Sequence, residues 1–147
     1  MMIPMTGQKV LLVDDEEEFT KTLSERMESR GVTARTAASG EEALDKLGAE
    51  KFDAIILDMQ MPGMDGIETL RRMLDENPDL QIILLTGYGT VEKGVEAIKL
   101  GARDFLEKPA NIEQLMDKIK LAGNERIALV EKRAEESIRD ILKGKSW

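Results

Sequence analysis

Neither cysteine nor histidine occurs anywhere in this 147-residue chain. Without thiols there is no disulfide framework, no thiolate nucleophile and no cysteine-based zinc site. Without imidazole, Ser-His-Asp triads, His-ligated metals and phosphohistidine chemistry on this chain are excluded as well. Any site chemistry is left to carboxylates, Lys, Arg, hydroxyls and the backbone. Basic residues are in the minority, 21 Lys and Arg against 29 Asp and Glu, giving a formal net charge of -8 with no basic run. That balance argues against nucleic-acid binding driven by phosphate neutralisation. Long apolar runs are missing too, and the start, MMIPMTGQ, is unlike a signal peptide. The expectation is a soluble cytoplasmic protein with no direct nucleic-acid partner and no membrane partner, long enough for one domain with a self-sufficient core.

What is present alternates. Lys9-Val-Leu-Leu-Val13 is an apolar run that stops on Asp14-Asp15, and Phe19, Leu23 and Met27 then recur at helical spacing until Gly31. Val32 to Thr36 reads as a short strand, and Ser39-Gly-Glu-Glu42 as a capping box opening a helix with Ala43, Leu44 and Leu47 on one face. Ala54 to Leu57 stops on Asp58 before a turn-forming stretch, Met-Pro62-Gly63-Met-Asp65-Gly66. Asp65 to Glu68 starts a helix carrying Ile67, Leu70, Met73 and Leu74, which Asn77-Pro78-Asp79 breaks. Gln81 to Leu85 is the most hydrophobic run and ends on Thr86; Thr90 caps a helix with Val91, Val95 and Ile98 that closes at Gly101. Arg103 to Leu106 is a brief strand before Glu107-Lys108-Pro109, and Asn111 to Gln114 caps a last helix. Five strands alternating with five helices, the strands at Val13, Leu57 and Leu85 being continuously apolar, predict a doubly wound α/β domain with a five-stranded parallel sheet covered on both faces (flavodoxin-like) and an extended last helix.

In such a sheet the strands point one way, and ligands sit outside their C-terminal ends. The first strand delivers Asp14-Asp15 there, the third Asp58, the fourth Thr86 and the fifth Lys108. Three gathered carboxylates must hold a proton or bind a cation, since unit charges ~4 Å apart repel by about 4 kcal/mol at an effective dielectric near 20. Oxygen ligands alone select a hard cation. Mg²⁺ fits best, with Ca²⁺ second and without the spacing of an EF-hand loop. Lys108 and Thr86 add nothing to cation binding itself, but they suit an arriving anion, most plausibly a phosphoryl group. One carboxylate can then act as nucleophile, and Asp58, alone at the end of a central strand, is best placed for it.

These pieces, "LLVDDE" (11–16), "ILDMQMPGMDG" (56–66), "LLTGYG" (84–89) and "ARDFLEKP" (102–109), together resemble the receiver domain of two-component response regulators, from about Lys9 to about Leu121. The resemblance implies that Asp58 is the phospho-acceptor. It implies Mg²⁺ ligation by Asp15, Asp58 and the backbone carbonyl of Gln60, with Asp14 assisting through water. Lys108 would pair with a phosphoryl oxygen, Thr86 would hydrogen-bond another, and the Lys108-Pro109 bond would be cis. The donor would be a partner histidine kinase or phosphotransfer protein. Phe105 stands at the family's switching aromatic: as Thr86 moves toward the phosphoryl group, Phe105 turns inward and reshapes the face formed by the fourth helix, fifth strand and fifth helix. Gln60 and Tyr88 border the path of the hydrolytic water and modulate the lifetime of the aspartyl phosphate. Such a chain is a signalling phosphoprotein rather than an enzyme in the ordinary sense. Two other classes compete: a constitutive receiver-like scaffold, against which the intact acids, Thr86 and Lys108 argue, and a haloacid-dehalogenase-like phosphatase, which wants a second Asp where this chain has Gln60.

The expected organisation is an N-terminal extension (1–8), a receiver (9–121) and a helical tail (122–147) with no separate output domain. From Asn124 onward the tail has six basic and five acidic residues, so it is nearly neutral, with Ile127, Val130, Ala134, Ile138 and Ile141 on one helical face. Gly123 weakens helical continuity by about 1 kcal/mol relative to Ala. About two heptads fall short of a stable coiled coil, so a solvated helix and a dimer or partner helix are both open readings. The output is a downstream protein partner or a self-dimer, through the switching face or the tail.

Overall fold

The computed structural model describes residues 7–59, 66–87 and 91–144. Expectations resting on Gln60, Tyr88, the Asp65 helix start and the Thr90 cap therefore lie outside the described residues. The elements follow in the order β1 (Lys9–Val13), α1 (Glu17–Glu28), β2 (Thr33–Ala37), α2 (Gly40–Ala49), β3 (Ala54–Asp58), α3 (Gly66–Glu76), β4 (Ile82–Thr86), α4 (Val91–Leu100), β5 (Asp104–Glu107) and α5 (Ile112–Gly144). The five strands form one all-parallel sheet in the order β2-β1-β3-β4-β5.

The continuous apolar runs are explained by what covers them. Alternate side chains of a strand point to opposite faces, and here both faces are dry. Leu11, Val13, Ile55, Leu57, Ile82 and Leu84 pack with residues of α2, α3 and α4 such as Ala43, Leu70, Met73 and Ala97. Val10, Leu12, Ala54, Ile56, Ile83 and Leu85 face the other way, onto Leu23 and Met27 of α1 and Leu115, Met116 and Ile119 of α5. Two strands differ from expectation by one residue in a way that matters: β3 and β4 run one residue further, so Asp58 and Thr86 are themselves the last strand residues. The ladder explains this, because Asp58 is in register with Leu85 and Thr86 with Glu107. At the opposite edge, β2 buries only Ala34 and Ala37, as suits a strand with one neighbour.

Capping sets the helix starts. The Ser39 side chain accepts from the Glu42 amide at 3.1 Å, while the Glu42 carboxylate reaches back to the Ala38 amide, one residue earlier than the usual box. Asn111 caps α5 through the Gln114 amide at 3.1 Å.

The last helix runs unbroken for 33 residues. Gly123 lies where it passes the start of β1: a Cβ there would sit 2.3 Å from the Gln8 side chain, so the glycine permits a close approach at the cost of intrinsic helicity. Beyond it the helix is tied beneath the sheet. Arg126 pairs with Asp53 at 3.1 Å, and the Arg133 fork makes two 3.1 Å bonds to Asp79. Between them Leu129 and Val130 wall a cavity of about 260 Å³ with Leu47, Phe52 and Leu80. This part of the tail is neither frayed nor independent of the body. Arg133 holds the Asp79 carboxyl below its ordinary pKa, chiefly through the hydrogen bond. A lowered carboxylate contributes stability above its unfolded pKa and loses it as pH falls through the folded value. Arg133→Ala should therefore leave global stability almost unchanged, as exposed pairs do, yet release hydrogen-exchange protection selectively in residues 126–135. Unchanged protection there would contradict the anchoring.

Candidate functional site

Four of the five strands, β1, β3, β4 and β5, bring a polar group to the C-terminal edge of the sheet. Asp14 follows β1 at once; its amide donates to the Ala37 carbonyl, continuing the ladder, and its Oδ1 accepts from the Glu16 amide at 2.9 Å. Those bonds hold the carboxylate at the sheet edge, 2% exposed. Asp15, next in the turn, is exposed. Asp58 closes β3 and is 4% exposed, and the following Met59 amide is still bonded to the Leu85 carbonyl. Asp14, Asp15 and Asp58 each present an oxygen, and these oxygens all lie within 4.8 Å of one another. The fold brings together the three acids that the sequence singles out.

Lys108 enters from the fifth strand's end, its amide donating to the Thr86 carbonyl at 2.8 Å and its peptide to Pro109 being cis. Its Nζ lies 3.2 Å from Asp14 Oδ2, 3.5 Å from Asp58 Oδ2 and 3.9 Å from Glu16 Oε1. Burial works against the ammonium, but the charges of Asp14 and Asp58 outweigh it and hold the Lys108 pKa above its ordinary value. One cation thus stands against two buried acids and their exposed neighbours. The donor set fits a hard divalent cation: carboxylate oxygens only, close together, in a chain with neither thiolate nor imidazole.

Thr86 is fully buried, and its hydroxyl donates to the Leu106 carbonyl at 3.3 Å. Phe105, on the neighbouring strand, is half-buried against the core that includes α4. Its ring rests on Gly94: a Cβ at that position would lie 2.7 Å from two ring carbons.

Three site neighbours were missed in the sequence. Glu16 lies within "LLVDDE" with no motif role of its own, and Phe19 has the spacing of a helix-core residue, although Lys108 Nζ lies 4.7 Å from its ring centroid. Gly94, an isolated glycine inside a helical pattern, was the available signal for a close approach at α4. Gly94→Val should overpack this contact and cost about 1–3 kcal/mol, read as a lower urea midpoint. A midpoint equal to the parent's would mean that the ring is not confined there.

The chain matches the model of the response regulator receiver domain over residues 10–120. It is 39% identical over 118 residues to sporulation initiation phosphotransferase F of Bacillus subtilis (strain 168), covering 79% of this chain and 94% of that protein. It is 38% identical over 125 residues to the C4-dicarboxylate transport transcriptional regulatory protein DctD of Rhizobium meliloti (strain 1021), covering 85% of this chain but only 27% of that longer regulator. Among solved structures, a response regulator receiver domain protein from Clostridium thermocellum superposes with a TM-score of 0.79 at 31% identity, covering 83% of this chain and 98% of that one. The all-parallel five-stranded sheet with helices on both faces is the fold of those solved receiver domains, and the chain belongs to the response regulator receiver domain family.

Proposed function

We propose that the chain accepts a phosphoryl group on Asp58 and signals by changing a protein-contact face. The observation that carries this reading is a buried carboxylate at a central strand end, beside two further acids and within 3.5 Å of a lysine ammonium. Such a group is poorly placed for a structural turn and well placed for attack. An Asp58 oxygen forms the new O–P bond while the P–N bond of a phosphohistidine on a partner kinase or phosphotransfer protein breaks, and the departing imidazole takes up a proton. Asp14, Asp15 and Asp58 would hold Mg²⁺, with the Gln60 carbonyl as a further ligand from the loop. Bound there, the ion neutralises phosphoryl oxygens and aligns donor with acceptor. Lys108 supplies a fixed positive charge that the phosphoryl group can take over from the acids.

The switch follows from what Thr86 and Phe105 do at rest. Thr86 gives up the Leu106 carbonyl to donate to a phosphoryl oxygen. Phe105 moves off Gly94 into the released space, and the contact between α4 and β5 rearranges. Val95, Ile98 and Leu100 of α4 are exposed apolar residues on the helix that this would move. Gln60 and Tyr88 set the lifetime of the acyl phosphate, and the setting is cytoplasmic, where kinase domains and their regulators meet.

Incubation with acetyl phosphate and Mg²⁺ tests the reading without a cognate kinase. One phosphoryl group per chain, lost on adding EDTA before the donor, is the expected result. Absence of labelling at any Mg²⁺ concentration would favour the scaffold reading instead.

A further inference from the structure

The second half of α5 carries an apolar stripe that the receiver body leaves largely open, only Val130 also bordering the cavity against the body. Ile127, Val130, Ile138 and Ile141 are 51%, 54%, 57% and 57% exposed, and Ala134 between them is exposed as well. Arg126 and Arg133 are turned to the body by their pairs with Asp53 and Asp79. At 3.6 residues per turn, the stripe's centre lies roughly a quarter turn round the helix from those anchors. The anchors therefore fix the direction in which the stripe looks.

Its spacing decides what covers it. From Ile127 the steps are to Val130, Ala134, Ile138 and Ile141, that is 3, 4, 4 and 3 residues. A parallel heptad zipper needs steps of 3 and 4 in strict alternation, which would put Ser137 in the seam and leave Ile138 out of it. This order instead reads the same in both directions about Ala134. A two-fold interface requires that if residue i meets j, then j meets i, and an antiparallel helix pair centred on Ala134 satisfies this with apolar partners throughout. Ile127 meets Ile141 of the second copy, Val130 meets Ile138, and the small Ala134 meets itself where the helices approach most closely. The step of four after Ala134 also suits straight rather than supercoiled helices.

Charge favours the same orientation. The tail is nearly neutral, so the chain's negative excess resides on the receiver body. The body packs on α5 around Leu115, Met116, Ile119 and Ala122. Antiparallel pairing about Ala134 places the centres of the two bodies roughly 45 Å apart along the helices, whereas parallel pairing sets them level, so like charge opposes the antiparallel arrangement less. We infer that α5 is a self-association element in which two copies pair antiparallel about Ala134. A seam only about 21 Å long on a single helix about 10 Å wide covers far less than the roughly 800 Å² per partner of a standard interface, so the pairing is weak and concentration-dependent. This inference does not rest on phosphorylation of Asp58.

The absence of native cysteine makes the test clean. Full-length Ile127→Cys and Ile141→Cys variants, one of them isotopically labelled, are oxidised separately and as a mixture at high protein concentration. The mixed disulfide dimer, identified by mass, should dominate in the mixture and exceed by at least about tenfold (1.4 kcal/mol) the self-dimer of either variant alone. Glu125→Cys, away from the stripe, serves as the collision control. Adding Ile138→Asp to both chains should return the mixture to the control level with circular dichroism unchanged. Self-dimers of each single variant as abundant as the mixed dimer would establish parallel pairing and overturn the inference. Cross-linking no greater than the control in every case would overturn it too, assigning the stripe to a different occupant.

Discussion

Asp58→Asn should take up no phosphoryl group from acetyl phosphate and Mg²⁺ under conditions that label the parent chain. The substitution keeps the side chain's shape at a site that is 4% exposed, and removes a charge from a cluster that has too many, so folding should survive. What it removes is the nucleophile: an amide oxygen is far less basic than a carboxylate and cannot form the acyl phosphate. Asp14 and Asp15 are close enough to be alternative acceptors, their oxygens lying within 4.8 Å of those of Asp58, so the variant also tests the choice among the three. Asp15→Asn is the informative comparison. It should weaken labelling through Mg²⁺, so that excess Mg²⁺ restores it, whereas no amount of Mg²⁺ restores Asp58→Asn. Normal labelling of Asp58→Asn would refute the assignment.

Lys108→Ala should separate stability, labelling and switching. The ammonium stands 3.2 Å from Asp14 and 3.5 Å from Asp58, whose side chains are 0% and 5% exposed. Removing it takes away the ammonium that both buried acids face. Breaking a buried pair on one side typically costs about 3–5 kcal/mol, and the exposed Asp15 and Glu16 show that solvent reaches one side of this cluster, so about 2–3 kcal/mol is expected in EDTA. Mg²⁺ should recover much of it, since a ligand at a hundredfold excess over its Kd stabilises the folded state by about 2.7 kcal/mol. The pH dependence follows from the raised Lys108 pKa. Its contribution is fully present below the ordinary lysine value of 10.5 and is lost as pH rises through the higher folded value. The parent should therefore lose stability steeply above that range, and Lys108→Ala should lose this part of the alkaline descent. Labelling should persist, because the acceptor and its acidic neighbours remain, but the Thr86 and Phe105 resonances should cease to respond to phosphorylation. A variant as stable as the parent in EDTA would show that the ion pairs carry little weight.

The fold was legible because its signals are local and repeated. Apolar runs of four or five residues closed by a polar group, alternating with helical stripes, admit few architectures once both faces must be covered. The candidate site was legible for a different reason: parallel strands bring residues distant in sequence to one edge, so the polar residues that close or follow a strand could be read as site members. Glu16 and Phe19 escaped because their part depends on where the Lys108 chain travels after leaving β5, which no spacing encodes. Gly94 carried a signal that was passed over, since a glycine inside a helix costs about 1 kcal/mol and calls for a packing reason. The tail shows the limit most clearly. Its helical continuity could be read from the apolar face, but the Arg126–Asp53 and Arg133–Asp79 pairs join residues 73 and 54 positions apart. Charged residues on a helix look the same in sequence whether they face solvent or an acid on another loop.

The measurement that bears most directly on the central claim is to trap the acceptor in the unmodified protein. The chain is incubated with acetyl phosphate and Mg²⁺, the acyl phosphate is reduced with borohydride to homoserine, and the altered residue is located by tandem mass spectrometry. The account predicts homoserine at position 58 and at neither 14 nor 15. Reduction at Asp14 or Asp15, or at no residue, would contradict it.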